Sequence, residues 1–560
     1  MESRIPAEKW SYEVWLADGQ QLIGHVGETK EQIYCTLEPL DLGYRIRLQF
    51  NPKGKQTIRS CRLYAPTNTA NEEWLLANGF QSWTESYWHR PTAEIPQLRK
   101  IARPLMGYYG DYHIDIVSRG PGIIHSWSWT ERRQSTSDIE LFASLNENTA
   151  FTCFHWRNDL NLLEVKIDCT GWEVGEPVIL ADFLVLQGNV NEVYDSWVEH
   201  LELPPLRAKL ARGWTSWYQH YTSVSESIVE DNLDAFQVFG KQLDFFQIDD
   251  GFQTAVGDWL SIRNQFPSGM ANMAKRIDAT GATPGLWLAP AVADRRSDLL
   301  KRHPDWVQRD KHGKPLKAGY NPLWKGWFYA LNTEHEGWLT YMQEVFETVV
   351  DDWGYGMLKL DFLYAACIYP TPELTRAQLM RRMLERIRSW SGEAYLLGCG
   401  TPLAPGFGIF DYCRIGADIH LRWEHRLLRW FRHRERVSTL VAMRSVLGRW
   451  PLAGRVWRND PDVYLLREEN MHMTTAERQL VHRTNALLGE LLFTSDNPST
   501  YGSFPKKEEE WQTKHWTEKN WVVTPEQDGD FKITSDKQTY RLSLGTTTGK
   551  WKEESVTNQE

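Results

Sequence analysis

Between residues 213 and 494 one pattern recurs eight times: a short apolar run followed by a stretch that reads as loop and helix. The runs are Gly213 to Tyr218, Phe245 to Asp249, Gly285 to Ala289 and Met357 to Phe362, then Tyr395 to Gly398, Tyr412 to Gly416, Arg455 to Arg458 and Leu491 to Thr494. Runs that are apolar throughout, without polar alternation, suit strands buried on both faces of a parallel sheet. The intervening stretches, such as Trp338 to Val350 and Arg376 to Trp390, place apolar residues three and four apart, as an amphipathic helix does. Eight such units over roughly 290 residues have the size of a (β/α)8 TIM barrel with several long loops; a doubly wound sheet is the alternative.

The flanks read differently. Up to about residue 200 the chain alternates apolar and polar positions in short pieces, for example Gly43 to Phe50 and Leu162 to Ile167, separated by turn clusters such as Asn51-Pro52-Lys53-Gly54. That texture predicts an antiparallel β sandwich, and Leu203-Pro204-Pro205 marks its end. Beyond Asp496 the chain turns polar and rich in Lys and Glu, with short alternating pieces such as Thr539 to Leu544, which predicts a small β domain and a frayed tail. The expected division is 1–205, 206–497 and 498–560: a multidomain α/β and β protein.

Composition narrows the function. Acidic residues outnumber basic ones, 73 against 63, for a formal net charge of -10, and no Lys/Arg block stands out that would track a phosphate backbone, which disfavours nucleic acid as a partner. No basic-then-apolar leader opens the sequence and no run approaches the length of a membrane span, so no membrane partner and a cytoplasmic protein are expected. The seven cysteines are odd in number and lack CxxC spacing, which fits a reducing compartment and neither a disulfide framework nor a zinc site. Tryptophan is the outlier, with 28 of 560 residues. Some of these pack layers together; a surplus suits a cleft whose ligand has flat apolar faces, as sugars do.

In a barrel, reactive groups sit at the C-terminal ends of the strands. Asp249 and Asp250 end the second run, Asp361 closes the fourth, and Asp418 and Asp460 follow the sixth and seventh. Any one alone reads as a loop cap; five on one rim would raise each other's pKa, a cost that points to function. Two carboxylates across a sugar-sized cleft are the minimum kit for glycosidic cleavage. Lys359 precedes Asp361 by two, so both side chains share a strand face, and its ammonium is expected to hold Asp361 ionised.

These segments resemble the α-galactosidases of glycoside hydrolase family 36. The words that carry the resemblance are Gly213-Trp214-Thr215-Ser216-Trp217-Tyr218, Phe246-Gln247-Ile248-Asp249-Asp250, Pro284-Gly285-Leu286-Trp287-Leu288-Ala289-Pro290, Lys359-Leu360-Asp361-Phe362, Leu397-Gly398-Cys399-Gly400 and Arg414-Ile415-Gly416-Ala417-Asp418. Asn78-Gly79-Phe80-Gln81-Ser82-Trp83 and Asn459-Asp460-Pro461-Asp462 belong to the same set, so the resemblance runs along nearly the whole chain. It implies a retaining hydrolase without metal or cofactor, built as an N-terminal β supersandwich, a (β/α)8 barrel and a C-terminal antiparallel β domain. By the resemblance, Asp361 is the nucleophile and Asp418 the acid/base. Asp249, Asp250, Lys359 and Arg414 hold galactose hydroxyls, Trp287 and Trp217 wall the pocket, Trp83 caps it from the sandwich, and Cys399 lies near the sugar 2-position. One departure is Ile419-His420-Leu421-Arg422 after Asp418, where close relatives in the family carry a small or hydroxylated residue next.

The expected reaction is exo-hydrolysis of terminal α-linked galactose from oligosaccharides, with α-galactoside oligosaccharides as the partners and a homo-oligomer left open. The alternatives are the same machinery with another sugar or acceptor (an α-N-acetylgalactosaminidase, an α-glucoside-active enzyme or a transglycosylase) and a non-catalytic carbohydrate-binding protein, which retention of both Asp361 and Asp418 argues against.

Overall fold

The computed structural model describes residues 5–310 and 312–553. The expected frayed tail at 554–560, and the first four residues of the N-terminal stretch, lie outside the described residues.

The first two hundred residues form two facing antiparallel sheets, of seven and eight strands. Gly43–Phe50 shows how the sequence builds them: its residues alternate half-buried and buried, so Tyr44, Ile46, Leu48 and Phe50 point into a core shared with Trp10, Phe154 and Phe183. The long strand Val178–Asn189 pairs with both Gly43–Phe50 and Asp138–Ser144, then passes into the helix Val190–His200, capped by the Asn189 side chain.

Eight parallel strands follow: β1 Ala211–Thr215, β2 Phe245–Ile248, β3 Thr283–Leu288, β4 Met357–Leu360, β5 Tyr395–Gly398, β6 Tyr412–Arg414, β7 Arg458–Asp460 and β8 Leu491–Thr494. They pair in order from β1 to β7, with β8 beside β1. Backbone bonds from Glu490 N to Asn459 O (2.8 Å) and from Tyr464 N to Phe493 O (3.0 Å) join the free edges of β7 and β8, so the sheet closes as a barrel and the doubly wound alternative is excluded. Seven of the eight runs read from sequence hold their strand, and the remaining one meets its strand only at Arg458. β1 ends earlier than expected, because the chain enters a helical turn, Trp217–His220, closed by a bond from His220 N to Ser216 O at 3.1 Å. β7 is displaced: the run Arg455 to Arg458 is mostly a turn, in which Arg455 N and Val456 N bond to Leu452 O, and the strand starts at Arg458. Asp460 is therefore the last residue of β7 instead of following it.

Two features were not anticipated. The connection between β3 and β4 carries its own three-stranded antiparallel sheet, Val292–Asp294, Lys317–Asn321 and Gly326–Ala330. The polar stretch after residue 498 begins with a helix, Ser503–His515, ahead of the expected small β domain, a four-stranded antiparallel sheet. Its buried positions include Glu508 and Glu509, which pair with Arg483 and Lys241, so the inward face carries charge and leaves no apolar stripe to read. No helix among the described residues is long and apolar enough to cross a membrane.

Candidate active site

The carboxylates at the strand ends separate into two groups. In the first, Asp249 lies just beyond β2 and Asp250 at the start of the turn made by Gly251, whose φ of 136° few side chains adopt. The immediate turn lets two consecutive carboxylates serve the same rim. Asp249 accepts from Lys359 Nζ at 2.7 Å and from Gln247 Nε2 at 2.9 Å. Asp250 accepts from Gln253 Nε2 and from the indole N–H of Trp324, both at 2.7 Å. With neutral donors only in contact, burial pushes the Asp250 carboxyl up to about 6.

Asp361 follows β4. Its Oδ2 accepts from Trp287 Nε1 at 3.0 Å and its Oδ1 from its neighbour's amide, Phe362 N, at 2.9 Å. Phe362 holds a φ of 53°, uncommon for a bulky residue, with its ring packed between Trp83, Trp324 and Phe328. Lys359 was expected to pair with Asp361, but its ion pair goes to Asp249. Burial raises the Asp361 carboxyl; the Lys359 charge opposes that rise without overcoming it, and Asp418 adds to it. Cys399, just past β5, is buried beside Asp361, and burial holds its thiol well above the usual range.

The second group surrounds Arg414, the last residue of β6. Its guanidinium donates to Asp418 Oδ1 at 2.9 Å and Asp460 Oδ2 at 3.0 Å, and forms an ion pair with Asp462 Oδ1 at 2.8 Å. Asp460 is fully buried in this cluster and so is not an open rim carboxylate as expected; only Asp418 of the three is half-buried. Asp462 also accepts from Tyr218 Oη and from Ile419 N (2.8 Å), and burial lifts its carboxyl to about 7 despite Arg414. Ile419 is thereby turned inward, while the His420 ring packs near His425 at 5.3 Å.

Trp83 reaches this rim from the sandwich. Its ring lies edge-on to Phe362 (centroids 5.1 Å) and near Tyr364 and Tyr109, and its indole N–H is buried with no acceptor among the described residues. Gly400 is required below it: a Cβ there would lie 2.9 Å from the Trp83 ring. Arg449 holds the loop. Fully buried, it donates to Asn78 Oδ1, to the carbonyls of Gly79, Gln81 and Ser82, and to Ile415 O of the segment after Arg414. Glu435 adds a bond from Thr84 Oγ1 at 2.8 Å.

Asp249, Asp250, Lys359, Asp361, Cys399, Arg414, Asp418, Trp287 and Trp83 thus gather at one end of the barrel. Trp217 is half-buried against Tyr221 (5.2 Å), and it is the adjacent Tyr218 that bonds into the Arg414 cluster. Sequence reasoning missed Tyr218, Asp462, Trp324 and Arg449. The first two stand inside quoted motif words; Trp324 and Arg449 carry no local signal, since one arrives on the β3–β4 excursion and the other from the helix Thr439–Arg449. No group of three or more His, Cys, Asp or Glu that could hold a metal ion occurs among the described residues.

Comparison with known proteins agrees with the fold. A family model described as Melibiase matches residues 213–368. Among curated relatives, the α-galactosidase AgaA of Geobacillus stearothermophilus is 30% identical over 297 residues, 49% of this chain and 39% of that protein. The A type blood alpha-D-galactosamine galactosaminidase of Flavonifractor plautii is 27% identical over 210 residues, 34% of this chain and 19% of that protein. The chain thus spans well under half the length of these two relatives. Among solved structures, the α-galactosidase TtGalA of Thermus thermophilus, in complex with p-nitrophenyl alpha-D-galactopyranoside, aligns with a TM-score of 0.70 at 27% identity, covering 89% of this chain and 97% of that one. A variant of the family 36 α-galactosidase AgaA of Geobacillus stearothermophilus, in complex with 1-deoxygalactonojirimycin, aligns with a TM-score of 0.62 at 12% identity, over 96% of this chain and 81% of that one, and so shares the fold. These matches agree with the resemblance to family 36 drawn from the motifs, and the fold is one shared with solved α-galactosidase structures.

Proposed function

We propose that the chain is a retaining exo-α-galactosidase that releases terminal α-linked galactose by double displacement, with the three parts divided at 205 and 497. The observation that carries this reading is the pairing of Asp361, oriented by the Trp287 indole and the Phe362 amide, with Asp418, held on Arg414 in the opposite group. Asp361 attacks the anomeric carbon as its glycosidic bond breaks, and Asp418 gives its proton to the departing oxygen. In the second half Asp418 takes a proton from water, which attacks the galactosyl-Asp361 ester and frees both galactose and the carboxylate.

Selectivity rests on polar pairing. An axial 4-hydroxyl meets acceptors on Asp249 and Asp250, whereas an equatorial one leaves those buried groups unpaired, a stronger basis for rejection than apolar walls. Trp287 and Trp324 stand beside Asp361 and Asp250, where they flank the sugar, and Trp83 lies over it. A reducing, cytoplasmic setting belongs to the same reading, supported by seven cysteines all buried as free thiols.

The name of the Flavonifractor plautii relative favours one second reading, the α-N-acetylgalactosaminide as donor. The test is release of nitrophenol from the α-galactoside, the α-glucoside and the α-N-acetylgalactosaminide under one condition. The α-galactoside should exceed the others at least about a hundredfold in kcat/KM. Equal turnover of the α-glucoside would refute the galactose assignment.

A further inference from the structure

Three segments from different parts of the chain ring the mouth of the candidate site, and their exposed side chains share one chemistry. The first, from the sandwich, exposes Arg99, Lys100 and Arg103 around Ile101, which is 75% exposed, and Leu105. The second is the tip of the β3–β4 excursion, where Tyr320, Leu323 and Lys325 are exposed on either side of the buried Trp324. The third follows Asp418 and exposes Arg422, Arg426, Arg429 and Arg432 with Leu427 (58%) and Trp430 (52%).

The three adjoin one another. Arg103–Met106 packs on Lys317–Asn321, Tyr109 Oη bonds Tyr320 O at 3.1 Å, and the Arg99 guanidinium lies 4.3 Å from the centre of the Trp430 ring. None of the exposed cations has a carboxylate partner among the described residues. Arg434 and Arg436, in the same arginine-rich stretch, are buried and paired with Asp111 and Glu424. Glu424 and Glu435 are the acids of that stretch; both are buried, and the stretches 97–110 and 320–330 contain none. A chain of net charge -10 therefore gathers uncompensated positive charge, interleaved with exposed aliphatic and aromatic groups, at the mouth of its site.

We propose that this rim docks on an anionic lipid surface. Cations at the headgroup level and apolar side chains just beneath it are what a peripheral contact with a bilayer needs. A soluble polyanion would satisfy the arginines and leave Ile101, Leu427 and Trp430 in water. A second copy meeting the same patch across a two-fold axis would oppose like charges. Docked this way, the mouth faces the headgroup layer, where a galactoside carried on a lipid would be presented; that last consequence rests on the reaction proposed above, and the docking does not.

The test is sedimentation of the full chain with vesicles of phosphatidylglycerol and phosphatidylcholine, set beside vesicles of phosphatidylcholine alone, at low and high salt. Binding should be at least about tenfold stronger to the anionic vesicles and should fall with salt. Arg426→Glu with Arg432→Glu, and separately Ile101→Asp with Leu427→Asp, should each weaken it about tenfold. All four side chains are exposed, so melting temperature and hydrolysis of a soluble nitrophenyl α-galactoside should stay at wild-type values and report folding. No binding, or equal binding to neutral vesicles, overturns the proposal. A concentration-dependent dimer abolished by the same variants would assign the rim to a second copy. Binding of a soluble polyanion that is indifferent to Ile101→Asp, without vesicle binding, would assign it to such a ligand; either result also overturns the proposal. Failure of soluble hydrolysis in the wild type would refute the proposed reaction and leave the sedimentation result standing.

Discussion

The two carboxylate groups of the site meet burial in different ways. Around β2 to β4, Asp250 and Asp361 are held by indole, amide and backbone N–H groups, while the only ammonium there, Lys359, goes to Asp249. Around β6 and β7, three carboxylates share the single guanidinium of Arg414. Neutral donors orient a carboxylate without cancelling its desolvation, so Asp250 and Asp361 keep raised pKa values, while in the second group burial lifts Asp462 in spite of the Arg414 charge that three carboxylates share. A shared guanidinium fixes geometry, so the second group sets where Asp418 stands.

The largest expected effect is in the first group. Asp361→Gly should lower kcat by about four orders of magnitude or more while the fold survives, and azide should restore cleavage of an activated aryl galactoside, yielding the β-azide. Wild-type turnover in that variant would remove Asp361 from the chemistry. Asp418→Ala, in the second group, should depend on the leaving group: about a thousandfold loss with natural oligosaccharides, and far less in the glycosylation step with acidic phenols. Equal damage to both substrates would make Asp418 a binding group.

Asp250 gives a smaller effect, read through pH. Its folded pKa of about 6 lies above the roughly 3.9 of an unfolded Asp, so the stability it contributes is present below pH 4 and lost as pH rises through 6. Asp250→Asn should therefore gain melting temperature relative to wild type at pH 7 and not at pH 4. In the same variant the acidic limb near 6 should leave the kcat/KM profile; a limb that stays would show that Asp250 does not carry it.

Arg449 offers the finest test, because it ties the Trp83 loop to the backbone beside Arg414. Lysine cannot make the same set of bonds. Arg449→Lys should raise KM about tenfold, corresponding to about 1.4 kcal/mol, with a smaller change in kcat. Trp83→Ala should match it in KM with little change in melting temperature; a loss of the roughly 3–5 kcal/mol typical of a core Trp would make Trp83 structural instead.

Much of this site is legible in the amino-acid sequence. The apolar runs locate seven of the eight barrel strands, and a two-residue spacing puts Lys359 and Asp361 on one face. The displaced β7 shows the limit: Arg455-Val456-Trp457 has strand composition, yet bonds to Leu452 O close it into a turn, and hydrogen bonds outside a segment leave no trace in its composition.

Local periodicity alone decides which face each side chain takes and which carboxylates stand at strand ends, since both follow from periods of two and 3.6 along one chain. Which cation each carboxylate meets was decided by the closed barrel. β3 lies between β2 and β4, so Lys359 reaches Asp249 across the interior, at a distance fixed by the stagger and tilt of all eight strands together. Trp324 and Arg449 reach the site from chain positions far from their partners for the same reason: burial rewards any donor that closure brings within reach, and closure is a property of the whole fold.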